Sequence, residues 1–246
     1  MLSHGAQGER PALLHLRRAQ ILRDELGEGS RARKDWESLL ELEPEHVEAL
    51  ESLAQLLFEA NEYDAWTDLT LRRLALPDES YCDRKLQLIK VLGGELQRED
   101  AAYDHTANLL DDTRMGWEQL SDLATTCLEH GRPEQAVQAL TQAVSRCSEP
   151  ESQSKLLYRI VGIENDVLRQ PANAVWAWEK LWADNKADLK PYAALCDLYR
   201  QEERWTDLVE LHEEALQDLQ ALRADHQNEV DGYHATIQSL RERLEK

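Results

Sequence analysis

Carboxylates are the first candidates for chemistry, since the chain of 246 residues holds 48 Asp and Glu. In that number they pair by chance on solvated helix faces, and no nucleophile or base converges with any of them. The run His212-Glu213-Glu214-Ala215-Leu216 begins like a zinc-binding helix, but Leu216 stands where the second histidine is required. His226 and His234 are two helical turns apart beside Asp225 and Asp231 and read as surface histidines. Asp100, Asp104, Asp111 and Asp112 lack the glycine and closing glutamate of a calcium loop. No phosphate-cradling glycine loop and no nucleophile elbow occurs; Gly93-Gly94 sits inside a helical pattern as a local loosening. Cys82, Cys127, Cys147 and Cys196 contain no Cys-x-x-Cys pair. Cys127 and Cys147 fall at opposite ends of an antiparallel helix pair, beyond bridging distance, and all four read as small buried hydrophobes. Neither an enzyme, a metal site nor a cofactor is expected.

The elements that would carry any site are helices. Lys and Arg number 28 against 48 acids, a net charge of −20, and the chain is 42% hydrophobic with only 10 Gly and 7 Pro. That apolar share supports a core and excludes disorder throughout. Glycine and proline are too scarce for the turns of a sandwich or barrel. The charge repels phosphate backbones, so direct nucleic-acid binding is not expected, and it favours basic partners. The first ten residues are polar and no later run is long and apolar enough to span a bilayer, which predicts a soluble, cytoplasmic chain with no membrane contact.

An internal repeat organises these helices. Leu120, Leu123, Ala124, Cys127, Gly131, Ala136, Leu140 and Ala143 give two apolar stripes around a bend. Seventy residues earlier stand Leu50, Leu53, Ala54, Leu57, Asn61, Trp66, Thr70 and Arg73; seventy-two later stand Tyr192, Leu195, Cys196, Tyr199, Glu203, Leu208, His212 and Ala215. A second hairpin type, one residue longer before its bend, alternates with the first. Leu16, Ala19, Ile21, Leu26, Ala32, Trp36 and Leu39 become Leu86, Ile89, Val91, Leu96, Ala102, Thr106 and Leu109, then Tyr158, Val161, Ile163, Leu168, Ala174, Trp178 and Leu181. Where Ala54, Ala124 and Cys196 sit, the two helices of a hairpin must cross closely.

These residues resemble the tetratricopeptide repeat family, with Leu120, Leu123-Ala124, Gly131, Ala136, Leu140 and Ala143 carrying the likeness best and Ala32, Trp36, Leu39 and Pro44 adding to it. Trp66, Leu208, Thr70 and Arg73 depart from the pattern. The resemblance implies an all-α fold, a right-handed α-solenoid of about six hairpins in three double units. The expected layout is a flexible segment over 1–12, the array over 13–224 and a C-terminal amphipathic capping helix over 225–246, with Val230, Tyr233, Ile237, Leu240 and Leu244 spaced by threes and fours. A dimer seam through that helix is the alternative.

In the family the first helix of each hairpin lines a concave groove. Carried over, the groove residues here are Glu48, Glu51, Gln55, Phe58 and Glu59, and Glu118, Ser121, Thr125, Leu128 and Glu129. The lysine, asparagine and arginine set of chaperone-binding relatives is missing. The acids with apolar points suit a basic, partly apolar protein segment. Trp36 and Trp178 are expected in the core. Trp176 lies about 200° from Trp178, so Trp176, with Trp182, is a candidate aromatic contact for a partner. The function expected is a non-catalytic protein-interaction scaffold. A repeat array serving a catalytic domain outside this chain, or a half-a-TPR-like scaffold of an RNA-processing complex, are the other readings.

Overall fold

The computed structural model describes residues 6–77, 79–221 and 223. Those residues are helix, turn and coil, with no strand among them. The helices are α1 (Ala6–Asp24), α2 (Gly29–Leu42), α3 (Val47–Glu59), α4 (Tyr63–Leu74), α5 (Tyr81–Gly93), α6 (Glu99–Leu110), α7 (Trp117–Glu129), α8 (Pro133–Arg146), α9 (Pro150–Gly162), α10 (Val175–Asp184), α11 (Leu189–Gln201) and α12 over residues 205–221. The predicted C-terminal helix over 225–246 lies outside the described residues.

The chain divides into two compact units, Met1–Gln142 and Ala143–Lys246. The first holds the hairpins α1/α2, α3/α4 and α5/α6, then α7 with most of α8; the second holds α9/α10 and α11/α12. In the first unit each helix from α1 to α5 packs on the next, and α5 also packs on α7. In the second unit α10 packs on both α9 and α11.

Most of the repeat positions are core positions. Ala32, Ala102 and Ala174 have no exposed surface, and Leu39, Leu109 and Leu181 are buried beside them. Ala124 is closed off as well, which lets helices approach where a larger side chain would hold them apart. Burying a leucine in this way contributes about 1.5–3 kcal/mol, and no single hairpin can bury its whole stripe alone. In α1 the buried stripe is Ala12, Ala19 and Leu22; Leu13, Leu14 and Ile21, and Leu26 in the bend that follows, are exposed, unlike Val91 and Ile163 at the later equivalents of Ile21.

The poorer matches in α4 are accommodated rather than loose. Trp66 is buried with its ring 5.5 Å from Phe58. Thr70 and Arg73 are buried too, and Arg73 reaches past the packing to donate to Glu51 at 3.0 Å and to the Pro77 carbonyl at 3.2 Å.

The bends explain the two hairpin lengths. Six described residues have positive φ, one per hairpin: Gly27, Asn61, Gln97, Gly131, Arg169 and Glu203. In the short type the next amide closes back on a carbonyl five residues earlier, Glu62 on Leu57, Arg132 on Cys127 and Arg204 on Tyr199. This is the left-handed helix termination that glycine favours. In the long type the closing bond spans six residues, Glu28 on Leu22, Arg98 on Leu92 and Gln170 on Glu164. The extra residue is absorbed by a wide turn just before, in which Leu26, Leu96 and Leu168 bond to Ile21, Val91 and Ile163, five residues back. Insertion of one residue into a helix makes such a π-type turn.

One repeat position shows three solutions to a single packing problem. In the first hairpin the buried Asp35 meets His15 at 2.9 Å and Arg18 at 3.2 Å. Seventy residues on, the same places hold Lys85, buried with its ammonium on Tyr81 Oη at 3.1 Å, and His105. In the fifth hairpin they hold the buried Leu157 and Ala177.

Candidate partner-binding groove

The first helices of neighbouring hairpins in the first unit are joined by polar side chains. Glu48 on α3 accepts from Gln20 at 3.1 Å and from Arg23 at 3.3 Å, both on α1. Glu51 on α3 accepts from Arg84 on α5 at 2.9 Å, and Asp83 on α5 accepts from Gln119 on α7 at 2.5 Å. Acids that a sequence shows only as negative charge therefore serve as struts between helices.

Between α3 and α5, Glu51 and Arg84 border a depression of about 580 Å³. Its aromatic side is Phe58, 36% exposed and packed edge-on to Tyr63 at 5.7 Å, with buried Trp66 behind it. Its polar side is Gln55, which donates to Glu59 at 3.0 Å, and Glu51 with Arg84. Four of the expected groove residues, Glu51, Gln55, Phe58 and Glu59, line it together. Glu48 belongs to the α1 contact instead. The fourth-hairpin residues lie along α7, with Glu118, Thr125 and Glu129 exposed and Ser121 and Leu128 half-buried. They do not line the α3–α5 depression.

The tryptophan pair separates. Trp176 is 38% exposed, but Trp182 is buried at 5% and corrects the expectation of an outward contact. Its indole N–H donates to Glu214 at 3.0 Å, Lys186 lies 4.4 Å from its ring and the Tyr192 ring lies 5.3 Å away, tilted by 42°. The lysine beside Glu214 holds that carboxyl below its ordinary range. Trp205, 59% exposed, was missed, because its charged neighbours hide it in the sequence. The Trp205, Val209, Leu216, Leu219 spacing was the available signal.

A second cavity, about 400 Å³, lies in the other unit between α10 and α12. Its charges satisfy one another: Tyr199 donates to Glu179 at 2.7 Å, Lys186 to Glu214 at 2.5 Å and Arg204 to Asp207 at 2.5 Å.

The four cysteines are buried, as their scattered pattern predicts. Cys82, Cys127, Cys147 and Cys196 are free and buried, and burial pushes the Cys127 thiol up to about 11. Burial raises the Cys82 and Cys196 thiols too, away from the thiolate needed for attack or metal binding. His212 is bonded to Tyr192 at 2.6 Å. Asp112 is held down to about 2 by the Arg114 guanidinium that bonds it. His226, His234, Asp225 and Asp231 lie outside the described residues. Among the described residues no group of three or more His, Cys, Asp or Glu is arranged to hold a metal ion.

The hairpins are tetratricopeptide-like. No family model matches the chain, and no curated protein does. Solved structures similar to it include MamA from Desulfovibrio magneticus RS-1 at 15% identity and TM-score 0.45, covering 72% of this chain and 97% of that one. YrrB, described as a TPR protein with an unusual peptide-binding site, matches at 16% and TM-score 0.39 over 74% and 91%. Pseudomonas aeruginosa pilF matches at 15% and 0.39 over 85% and 91%.

Proposed function

We propose that the chain is a non-catalytic scaffold that holds a segment of a partner protein in the depression between α3 and α5. The observation that carries this reading is the meeting there of an accessible aromatic edge, Phe58, with the mutually bonded polar groups of Gln55 and Glu59. An apolar side chain of the partner fits against Phe58, and amide and cationic groups fit against Gln55 and Glu59. With Glu51 already shared by Arg73 and Arg84, selection for basic segments arises from the net charge of −20 acting at long range and from Glu59 close in. A cytoplasmic location belongs to the reading, since four free, buried cysteines suit a reducing compartment. No described helix is long and apolar enough to cross a membrane.

The test is affinity capture from cell lysate on the full chain and on Phe58→Ala, each at low and high salt. A basic protein held by the wild type, released by salt and lost on Phe58→Ala supports the reading. Capture that is the same on both chains, or unaffected by salt, contradicts it.

A further inference from the structure

The second helices of two successive hairpins in the first unit, α6 and α8, border a cleft of about 440 Å³. Tyr103, Ala107 and Leu110 on α6 and Val137 on α8 give it apolar walls. One polar atom among them is unused. Gln135, near the start of α8, also lines the cleft; it is 6% exposed, and its side-chain carbonyl Oε1 accepts no hydrogen bond.

A buried acceptor without a donor destabilises a fold, and the packing does not call for one here. The equivalent places in the neighbouring short hairpins hold Ala65, which has no such atom, and Asp207, which accepts from Arg204. The oxygen of Gln135 therefore points to a donor from outside the chain. Charge says what carries that donor. Helix α6 and Asp111 at its C-terminal end hold four acids, Glu99, Asp100, Asp104 and Asp111, and no Lys or Arg. Asp111 is exposed and lines the cleft. Arg132, 5.6 Å from the Tyr103 ring, donates instead to the Glu99 carbonyl.

We propose that this cleft is a second protein-binding site, independent of the α3–α5 depression, and that it takes a short segment carrying an arginine. The guanidinium pairs with Asp111, which it can meet with two parallel N–H donors. Its methylene stem lies on Leu110 and Ala107. A backbone N–H of the segment donates to Gln135 Oε1, and the soft terminal torsion of the glutamine turns that oxygen toward it. The two polar groups select together. A neutral segment leaves Asp111 unpaired, and a cation without a backbone amide leaves Gln135 as it was.

NMR titration of the full chain with the capped peptide Ala-Arg-Ala tests this. Saturable shifts are expected over residues 103–111 and 135–142, with binding at least about tenfold weaker in Asp111→Asn and in Gln135→Met. Phe58→Ala should bind the peptide undiminished, which separates this site from the α3–α5 depression. Free of peptide, Gln135→Met should melt about 2–4 °C higher, since it removes the unpartnered oxygen and keeps the length of the side chain. A lower melting temperature for that variant would place the oxygen in an internal bond and overturn the proposal. So would the absence of saturable shifts, or equal binding of the peptide with neutral citrulline in place of arginine.

Discussion

The imidazole of His130, at the C-terminal end of α7, lies directly over Gly93 near the end of α5: a Cβ added to Gly93 would stand 2.4 Å from His130 Cε1. A helix interior ordinarily disfavours glycine by about 1 kcal/mol against alanine. Here the missing side chain makes room for a ring from the next hairpin. Gly93→Ala is therefore expected to lower stability by about 1–3 kcal/mol in spite of better helix propensity. Thermal melts check this, and His130→Ala in the same chain should restore most of the loss. A stabilised single variant would refute the account of this contact.

His130 and His105 also set a pH response of the first unit. Burial lowers the His130 pKa from its ordinary 6.5, helped by the Arg132 charge, and burial with Lys85 lowers that of His105. Both bind fewer protons folded than unfolded, so their contribution is complete above about pH 6.5 and is lost as pH falls toward the folded values. Melting temperature should drop between pH 7 and 5, and His130→Gln should flatten part of that slope. A melting temperature that rises on acidification would be the wrong sign.

The bends offer a test independent of the core. Gln97, Arg169 and Glu203 adopt φ of 51°, 55° and 56°, where a Cβ is strained. Replacing each by glycine should gain on the order of 0.5 kcal/mol after the entropic cost of the glycine. Gly131→Ala should lose about 1 kcal/mol from backbone strain alone, since no atom lies within 4 Å of the added Cβ. Denaturation of the single variants measures both signs.

Arg84 should modulate partner binding without being needed for it. It lies on the rim of the α3–α5 depression and offsets the charge of Glu51. Arg84→Ala is expected to raise the association rate of a basic peptide severalfold at low salt, and to lose that advantage at high salt. Stopped-flow binding reads it directly, and a slowed association would contradict the electrostatic part of the account.

The hairpins were legible because packing repeats: Ala32, Ala102 and Ala174 are at equivalent spacings and all fully buried. The extra residue of the long hairpins was visible too, although not its place in a wide turn. What the sequence hides is pairing between helices. Glu51 reads as groove acidity until Arg73 and Arg84, 22 and 33 residues away, are seen bonded to it. Trp182 reads like Trp176 because a helical wheel fixes angles but not what lies opposite, and here Glu214 and Tyr192 close over it. Gly93 looked like a flaw in a helix because its reason, His130, comes from another one.

Hydrogen exchange of the full chain with and without its captured partner tests the central claim most directly. The account predicts slowed exchange in α3 and the first turns of α5, around Phe58 and Arg84. Protection confined to other helices, with residues 51–87 unchanged, would contradict it.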